Sequence, residues 1–130
     1  MISVLLVEDH AYVADAIGGL LETFGDISLS ASAQTAEQAL EQLPNLKVDL
    51  MLVDLALPGM NGIDLIARVR EMYPELPCVV LSAHRELSYV RRAFEVGARG
   101  FITKEDPLAV SEGIHRVMEG EVYLSADLRE

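Results

Sequence analysis

Five short apolar runs, each followed by a stretch of helical character, leave this chain few folds to adopt. The runs are "ISVLLV" (2–7), "ISLSASA" (27–33), "VDLMLV" (48–53), "PCVVLS" (77–82) and "RGFIT" (99–103). The first is too uniformly apolar for a strand with one wet face and suits the buried centre of a parallel sheet, whereas the second alternates as a strand nearer an edge does. Between and after them, apolar residues recur at helical spacing: Val13, Ile17, Leu20, Leu21 and Phe24; Leu65, Ile66, Val69, Met72 and Tyr73; Leu87, Val90 and Phe94; Val110, Ile114, Val117 and Met118. Thr35 and Gln38 have the spacing of a capping box that opens the helix "AEQALEQL", which ends before Pro44. Gly25-Asp26 and Gly97 stop two other helices, and Asp106-Pro107 reads as an N-cap and first-turn proline for the last. Gly18 and Gly19 interrupt the first helix at ~1 kcal/mol each relative to alanine, a cost that close packing would explain. Five strands and five helices in strict alternation imply a doubly wound α/β domain, a parallel sheet with right-handed crossovers and helices on both faces.

The bulk numbers agree with one such domain. A length of 130 residues with 51% hydrophobic content provides a core without staples and leaves little room for a second unit. No Gly/Ser/Pro-rich linker or repeat divides the chain. The single cysteine, Cys78, lies in an apolar run, so an intramolecular disulfide is impossible and a reduced, cytoplasmic setting is expected. No basic leader precedes the first strand, and no run approaches the ~18 apolar residues of a membrane span, so no membrane partner is expected. A formal net charge of −11 argues against this chain by itself gripping nucleic acid, whose phosphates call for Lys and Arg.

Ligands of open parallel sheets bind at the carboxyl ends of the strands, near the switch in strand order. There the sequence places Glu8, Asp9 and His10 after the first strand, Asp54 after the third, Ser82 after the fourth and Thr103-Lys104 after the fifth. Singly, each has an ordinary reading: acids favour the first turn of a following helix, serines cap turns, and lysines are commonly solvated. Together they place three carboxylates, a hydroxyl and an ammonium on one edge. An ionised aspartate gains nothing from the apolar run "LMLV" before Asp54, so a cationic environment must hold it there. Neighbouring carboxylates repel unless a cation lies between them, and a hard ion such as Mg²⁺ takes oxygen ligands. A carboxylate is also a nucleophile toward phosphorus, with Lys104, Ser82 and the cation stabilising the transferred group.

"VLLVEDH", "MLVDLALPGMNG", "VVLSAH" and "GARGFITKED", in this order and spacing, resemble the receiver domain of bacterial two-component response regulators over nearly the whole chain, from about Ile2 to Leu124. The resemblance implies a flavodoxin-like strand order 2-1-3-4-5. It makes Asp54 the phosphoacceptor, with Asp9 a direct Mg²⁺ ligand, Glu8 acting mainly through water, and the Ala56 backbone carbonyl a further ligand. Ser82 takes the switch-hydroxyl position, Lys104 that of the phosphoryl-contacting lysine, and Phe101 that of an aromatic switch, for which a core aromatic is the plain alternative. A sensor histidine kinase would be the phosphodonor, a second copy the partner in a homodimer, and the domain would be regulatory rather than an enzyme acting on other substrates. The segment "GARGFITKEDPLAVSEGIHRVMEGEVYLS" resembles receivers that precede a LuxR-type helix-turn-helix domain, so residues 1–124 are read as the receiver and 125–130 as the start of a linker to a DNA-binding effector.

Some positions depart from the family pattern. Lys104 is followed by Glu105 where many receivers have proline and a cis peptide, which without proline costs ~3 kcal/mol, so a trans bond is expected. Ala56 offers no polar side chain to position water, and His84 lies two residues after Ser82, where it shapes access to the phosphate. With oxygen ligands dominating, His10 and His84 are not read as a transition-metal site. Arg85, Arg91, Arg92 and Arg99 form a local basic exception around the fourth helix and fifth strand, read as a solvated face or as a surface for a partner. A haloacid-dehalogenase-like phosphatase would want a D-x-D pattern after the first strand, where "VEDH" stands, and a flavin-binding flavodoxin would want a hydroxyl-rich loop there. A stand-alone or phosphate-independent protein-binding module is the remaining alternative.

Overall fold

Alternation along each strand sorts its side chains into two apolar layers, and the helices divide between them. The computed structural model describes residues 1–128. Its elements are β1 (Ile2–Val7), α1 (Ala11–Thr23), β2 (Ile27–Ala33), α2 (Ala36–Gln42), β3 (Leu50–Val53), α3 (Gly62–Met72), β4 (Cys78–Ser82), α4 (Leu87–Glu95), β5 (Gly100–Thr103), α5 (Leu108–Met118) and β6 (Tyr123–Leu124). Leu5, Val7, Met51, Val53, Cys78, Val80 and Phe101 pack under α2, α3 and α4. Val4, Leu6, Leu50, Leu52, Val79, Leu81 and Ile102 pack under α1 and α5. This is the doubly wound arrangement expected from the alternation of elements.

The sheet has six parallel strands in the order β2-β1-β3-β4-β5-β6, not five. The added strand is two residues long, too short to leave a period in the sequence. It pairs Gly100 with Tyr123 and Phe101 with Leu124 on the outer edge of β5. Gly113 of α5 makes room for it: a Cβ there would lie 2.7 Å from Ile102 Cδ1 and 2.9 Å from Tyr123 Cδ2. Ser125 and Leu128 beyond the strand are buried.

Other expectations change in detail. Met72, Leu87 and Met118 are 53%, 53% and 39% exposed; each is the terminal residue of its helix, where the stripe has run past the sheet. Close packing explains Gly18, where a Cβ would lie 2.9 Å from Leu29 Cδ2 of β2, but not Gly19, where a Cβ would meet nothing within 4 Å. Thr35 Oγ1 accepts from the Gln38 N–H as expected, while Gln38 returns its side chain to the N–H of Gln34, one residue before the cap. Pro44 lies inside a 3-10 turn, Leu43–Asn45, that prolongs α2. The N-cap of α5 is Pro107, with no side-chain cap, and Asp106 contributes only its carbonyl, to the Ala109 N–H. Arg99 directly precedes β5 and lines a cavity at the base of the sheet with Arg70, so the four arginines do not share one patch. The Lys104–Glu105 peptide is trans. Burial pushes the Cys78 thiol up to about 12, consistent with a core residue rather than a nucleophile. Among the described residues no helix is long and apolar enough to cross a membrane.

One ion pair ties α5 to the turn before β2. His115 Nε2 lies 2.5 Å from Asp26 Oδ2, and Nδ1 lies 2.6 Å from the Ser111 carbonyl. The hydrogen bond to Asp26, then that to Ser111, raises the imidazolium above its ordinary value, and the same pair lowers Asp26. The histidine's contribution is full below its unfolded value of about 6.5 and is lost as pH rises through its higher folded value; that of the aspartate is full above about 3.9 and is lost as pH falls through its lower folded value. Thermal unfolding of His115→Gln is therefore expected to fall furthest below wild type between about pH 4 and 6.5, with the gap closing in alkali. A gap independent of pH would show that the pair contributes through packing alone.

Candidate functional site

Register brings the carboxylates to one edge. Val7 pairs with Val53, so Glu8 and Asp54 leave neighbouring strands side by side at the switch between β1 and β3. Ladder bonds run on into the site: the Glu8 N–H donates to the Ala33 carbonyl at 2.9 Å and the Asp54 N–H to the Val7 carbonyl at 3.0 Å. Ser82 pairs with Thr103, and the Lys104 N–H donates to the Ser82 carbonyl at 3.0 Å, which fixes the root of the lysine.

Lys104 then joins the acids. Its Nζ lies 2.7 Å from Glu8 Oε1 and 3.2 Å from Asp54 Oδ2. Glu8 is 1% exposed and Asp54 5%, so both depend on this ammonium. Burial by itself would lower the lysine, but the hydrogen bond to Glu8 and the charges of Asp54 and Glu8 outweigh it and hold the ammonium above its ordinary value. The other Asp54 oxygen, Oδ1, accepts from the Ala56 N–H at 3.3 Å. The carboxylate is thus held at both oxygens.

Glu8, Asp9 and His10 bring ligand atoms within 4.8 Å of one another. Asp9 Oδ1 is buried and makes no hydrogen bond, although His10 Nδ1 stands 3.2 Å away. An orphaned carboxylate oxygen beside a second, buried acid is what a hard cation would complete, so the oxygen donors fit Mg²⁺. His10 was not singled out as a site residue; its place directly after two acids was the available signal. His84 is not part of that group. It packs its ring on Tyr89, with centroids 4.7 Å apart, and Nδ1 lies 3.5 Å from Glu86 Oε2.

Ser82 is fully buried, and its Oγ accepts from the His84 N–H at 3.0 Å; among the described residues no hydrogen bond joins it to Asp54. Phe101 is fully buried on the face of β5 that packs under α2, α3 and α4. The site also depends on Gly62, which sequence reasoning passed over. A Cβ there would lie 2.5 Å from the Asp54 carbonyl oxygen and 2.8 Å from Leu55 Cα. Backbone cannot yield as a side-chain tip does. Gly62→Ala is therefore expected to displace the Asp54–Leu55 segment and cost about 1–3 kcal/mol in denaturant unfolding. An unfolding midpoint equal to wild type would show that the loop relaxes freely.

The chain matches the response regulator receiver domain family over residues 4–116. It is 33% identical over 127 residues to the transcriptional activator protein ExaE of Pseudomonas putida, a match covering 96% of this chain and 59% of that protein. It is 32% identical over 127 residues to the nitrate/nitrite response regulator protein NarL of Escherichia coli, covering 97% of this chain and 59% of that protein. Among solved structures, a LuxR-family two-component response regulator from Aurantimonas sp. SI85-9A1 superposes with a TM-score of 0.93 at 28% identity, covering 97% of this chain and 91% of that one. The chain thus spans 59% of the length of either curated relative. With the acids, the lysine and the parallel sheet in place, the chain belongs to the response regulator receiver domain family, with LuxR-family response regulators among its relatives.

Proposed function

We propose that Asp54 accepts a phosphoryl group from the phosphohistidine of a sensor histidine kinase, and that the resulting charge switches the domain. The observation that carries this reading is the Lys104 ammonium shared between Asp54 Oδ2 and the buried Glu8 carboxylate. An Asp54 oxygen attacks phosphorus, the P–N bond breaks, and its electron pair returns to the ring, which leaves as neutral imidazole because its other nitrogen carries a proton. Lys104 would follow the incoming negative charge, the Ala56 N–H beside Asp54 Oδ1 would donate to it, and so would the Ser82 hydroxyl once moved toward it. A bound Mg²⁺, held by Asp9, Asp54 and the Ala56 carbonyl with Glu8 through water, would neutralise phosphoryl oxygens and part the acids. Ser82 moving toward the phosphoryl group, with Phe101 repacking behind it, would shift α4 and β5 between two states.

Residues 1–124 would be the receiver and 125–130 the start of a linker to a DNA-binding effector; Arg129 and Glu130 lie outside the described residues. The greater length of ExaE and NarL supports that division. Such a protein would work in the cytoplasm, regulating transcription as a homodimer.

The test is intact-mass spectrometry after incubation with Mg²⁺ and acetyl phosphate. A single added phosphoryl group is expected, absent with EDTA and in Asp54→Asn. No adduct on folded wild type would leave a phosphate-independent binding module as the better reading.

A further inference from the structure

The segment after α5 is latched at a single carboxylate. Asp127 Oδ2 accepts from Thr103 Oγ1 at 2.5 Å, and its Oδ1 accepts from Ser125 Oγ at 2.9 Å. Arg85 reaches it from the β4–α4 loop, with Nη2 3.7 Å from Oδ2 and 3.4 Å from the Asp127 carbonyl, while Nη1 holds Glu105 at 2.9 Å. Around that latch the backbone is stitched to β5: the Tyr123 N–H donates to the Arg99 carbonyl, the Ser125 N–H to the Phe101 carbonyl, and the Thr103 N–H to Ser125 Oγ. Leu128 closes the strap over the buried layer beneath α4.

Both arms of the latch begin at the candidate phosphoryl site. Thr103 is bonded in sequence to Lys104, whose ammonium holds Asp54. Arg85 follows His84, whose N–H is tied to the Ser82 hydroxyl. Lys104, Thr103, Asp127, Arg85, His84 and Ser82 therefore form one closed course of bonds and contacts, shut by the Lys104 N–H on the Ser82 carbonyl, with Asp54 attached at the lysine ammonium.

We propose that the strap of residues 123–128 is released when the Asp54 site gains negative charge, with Asp127 as the latch. This rests on the phosphoacceptor reading above. A phosphoryl group draws Ser82 inward, and the 83–86 loop follows through the His84 N–H. The same charge attracts the Arg85 guanidinium, so both effects pull Arg85 from Asp127 in the same direction. Lys104 turning to the phosphoryl oxygens shifts Thr103, the other holder of Asp127. The strap is what any chain beyond it must pass through, so its release changes how freely that chain moves.

The experiment is hydrogen exchange by mass spectrometry on wild type, Arg85→Gln and Asp127→Asn, each with and without Mg²⁺ and acetyl phosphate, with intact mass read on the same samples. In wild type, the phosphorylated form is expected to exchange roughly fivefold faster at the 123–128 amides, while the β1 and β3 amides stay protected. Arg85→Gln and Asp127→Asn are expected to exchange at the faster rate before phosphorylation and to change little after it. A full adduct with unchanged strap protection overturns the strap and leaves the phosphoacceptor intact. No adduct overturns both, because the strap then has no charge to answer to. Unlatched variants that exchange like unphosphorylated wild type overturn the latch at Asp127.

Discussion

Lys104→Met is expected to cost about 3 kcal/mol of folding stability, or roughly 10 °C in the melting temperature of a domain this size. Its ammonium is the cation bonded to two carboxylates that are 1% and 5% exposed, and methionine keeps the stem while leaving both acids buried without it, Asp54 with the Ala56 N–H and Glu8 with His10 as their remaining partners. The figure lies at the low end for breaking a buried pair because the lysine side chain remains 23% exposed and water can reach the gap. The sign of the pH dependence follows from the raised ammonium. Its contribution is full below the ordinary lysine value of about 10.4 and is lost only as pH rises through the higher folded value. The ammonium's own part of the difference between wild type and Lys104→Met should therefore be flat through neutral pH and vanish only in strong alkali. Adding Glu8→Gln to Lys104→Met removes one of the stranded charges and should recover more than half of the loss. A double variant no more stable than the single one would show that the lysine acts through packing of its stem. Circular dichroism melts in EDTA read all three.

The strand ends were legible because the parallel architecture is written in periodicity, and that architecture dictates where loops converge. Glu8, Asp9, Asp54, Ser82 and Lys104 each directly follow or finish an apolar run, so placing the strands placed the site. The strap was not legible, for two physical reasons. Two residues cannot show a period of two, and the partner that makes room for Tyr123 is an absence of side chain at Gly113. Gly62 escaped for a related reason. Asn61-Gly62 reads as a helix start, and Asn61 does cap the Asp64 N–H at 2.9 Å, but the need for glycine arises from backbone at Asp54 and Leu55, eight and seven residues away. The ends of the helical stripes were over-read. Met72, Leu87 and Met118 obey the spacing yet stand in solvent, because spacing reports direction around a helix and not how far the sheet extends beneath it. The orphaned oxygen of Asp9 is likewise a fact of geometry; the sequence offers only a carboxylate beside another.

Phe101→Ala is expected to be the most destabilising substitution in the sheet, at about 3–5 kcal/mol. The ring is fully buried on a strand with neighbours on both sides, under the layer that α4 and Leu128 close, and alanine leaves a cavity there that those rigid strands cannot collapse. That loss is a large share of the 5–15 kcal/mol a domain possesses, so equilibrium unfolding is best followed at low temperature. Phe101→Leu retains most of the volume and should cost about 1.5 kcal/mol or less, which makes it the variant for function. It also separates the two readings of the ring. If Phe101 is purely a core residue, Phe101→Leu should take up phosphate from acetyl phosphate as wild type does, and exchange at the α4 amides should respond to the adduct in full. If the ring must repack for the switch, the adduct still forms, because Asp54, Lys104 and Ser82 are unchanged, but the α4 response shrinks. The second outcome is the expected one: Val80 faces Phe101 in the β4–β5 register and Ser82 lies two residues beyond it on the same face, so the hydroxyl and the ring share the space into which one of them moves.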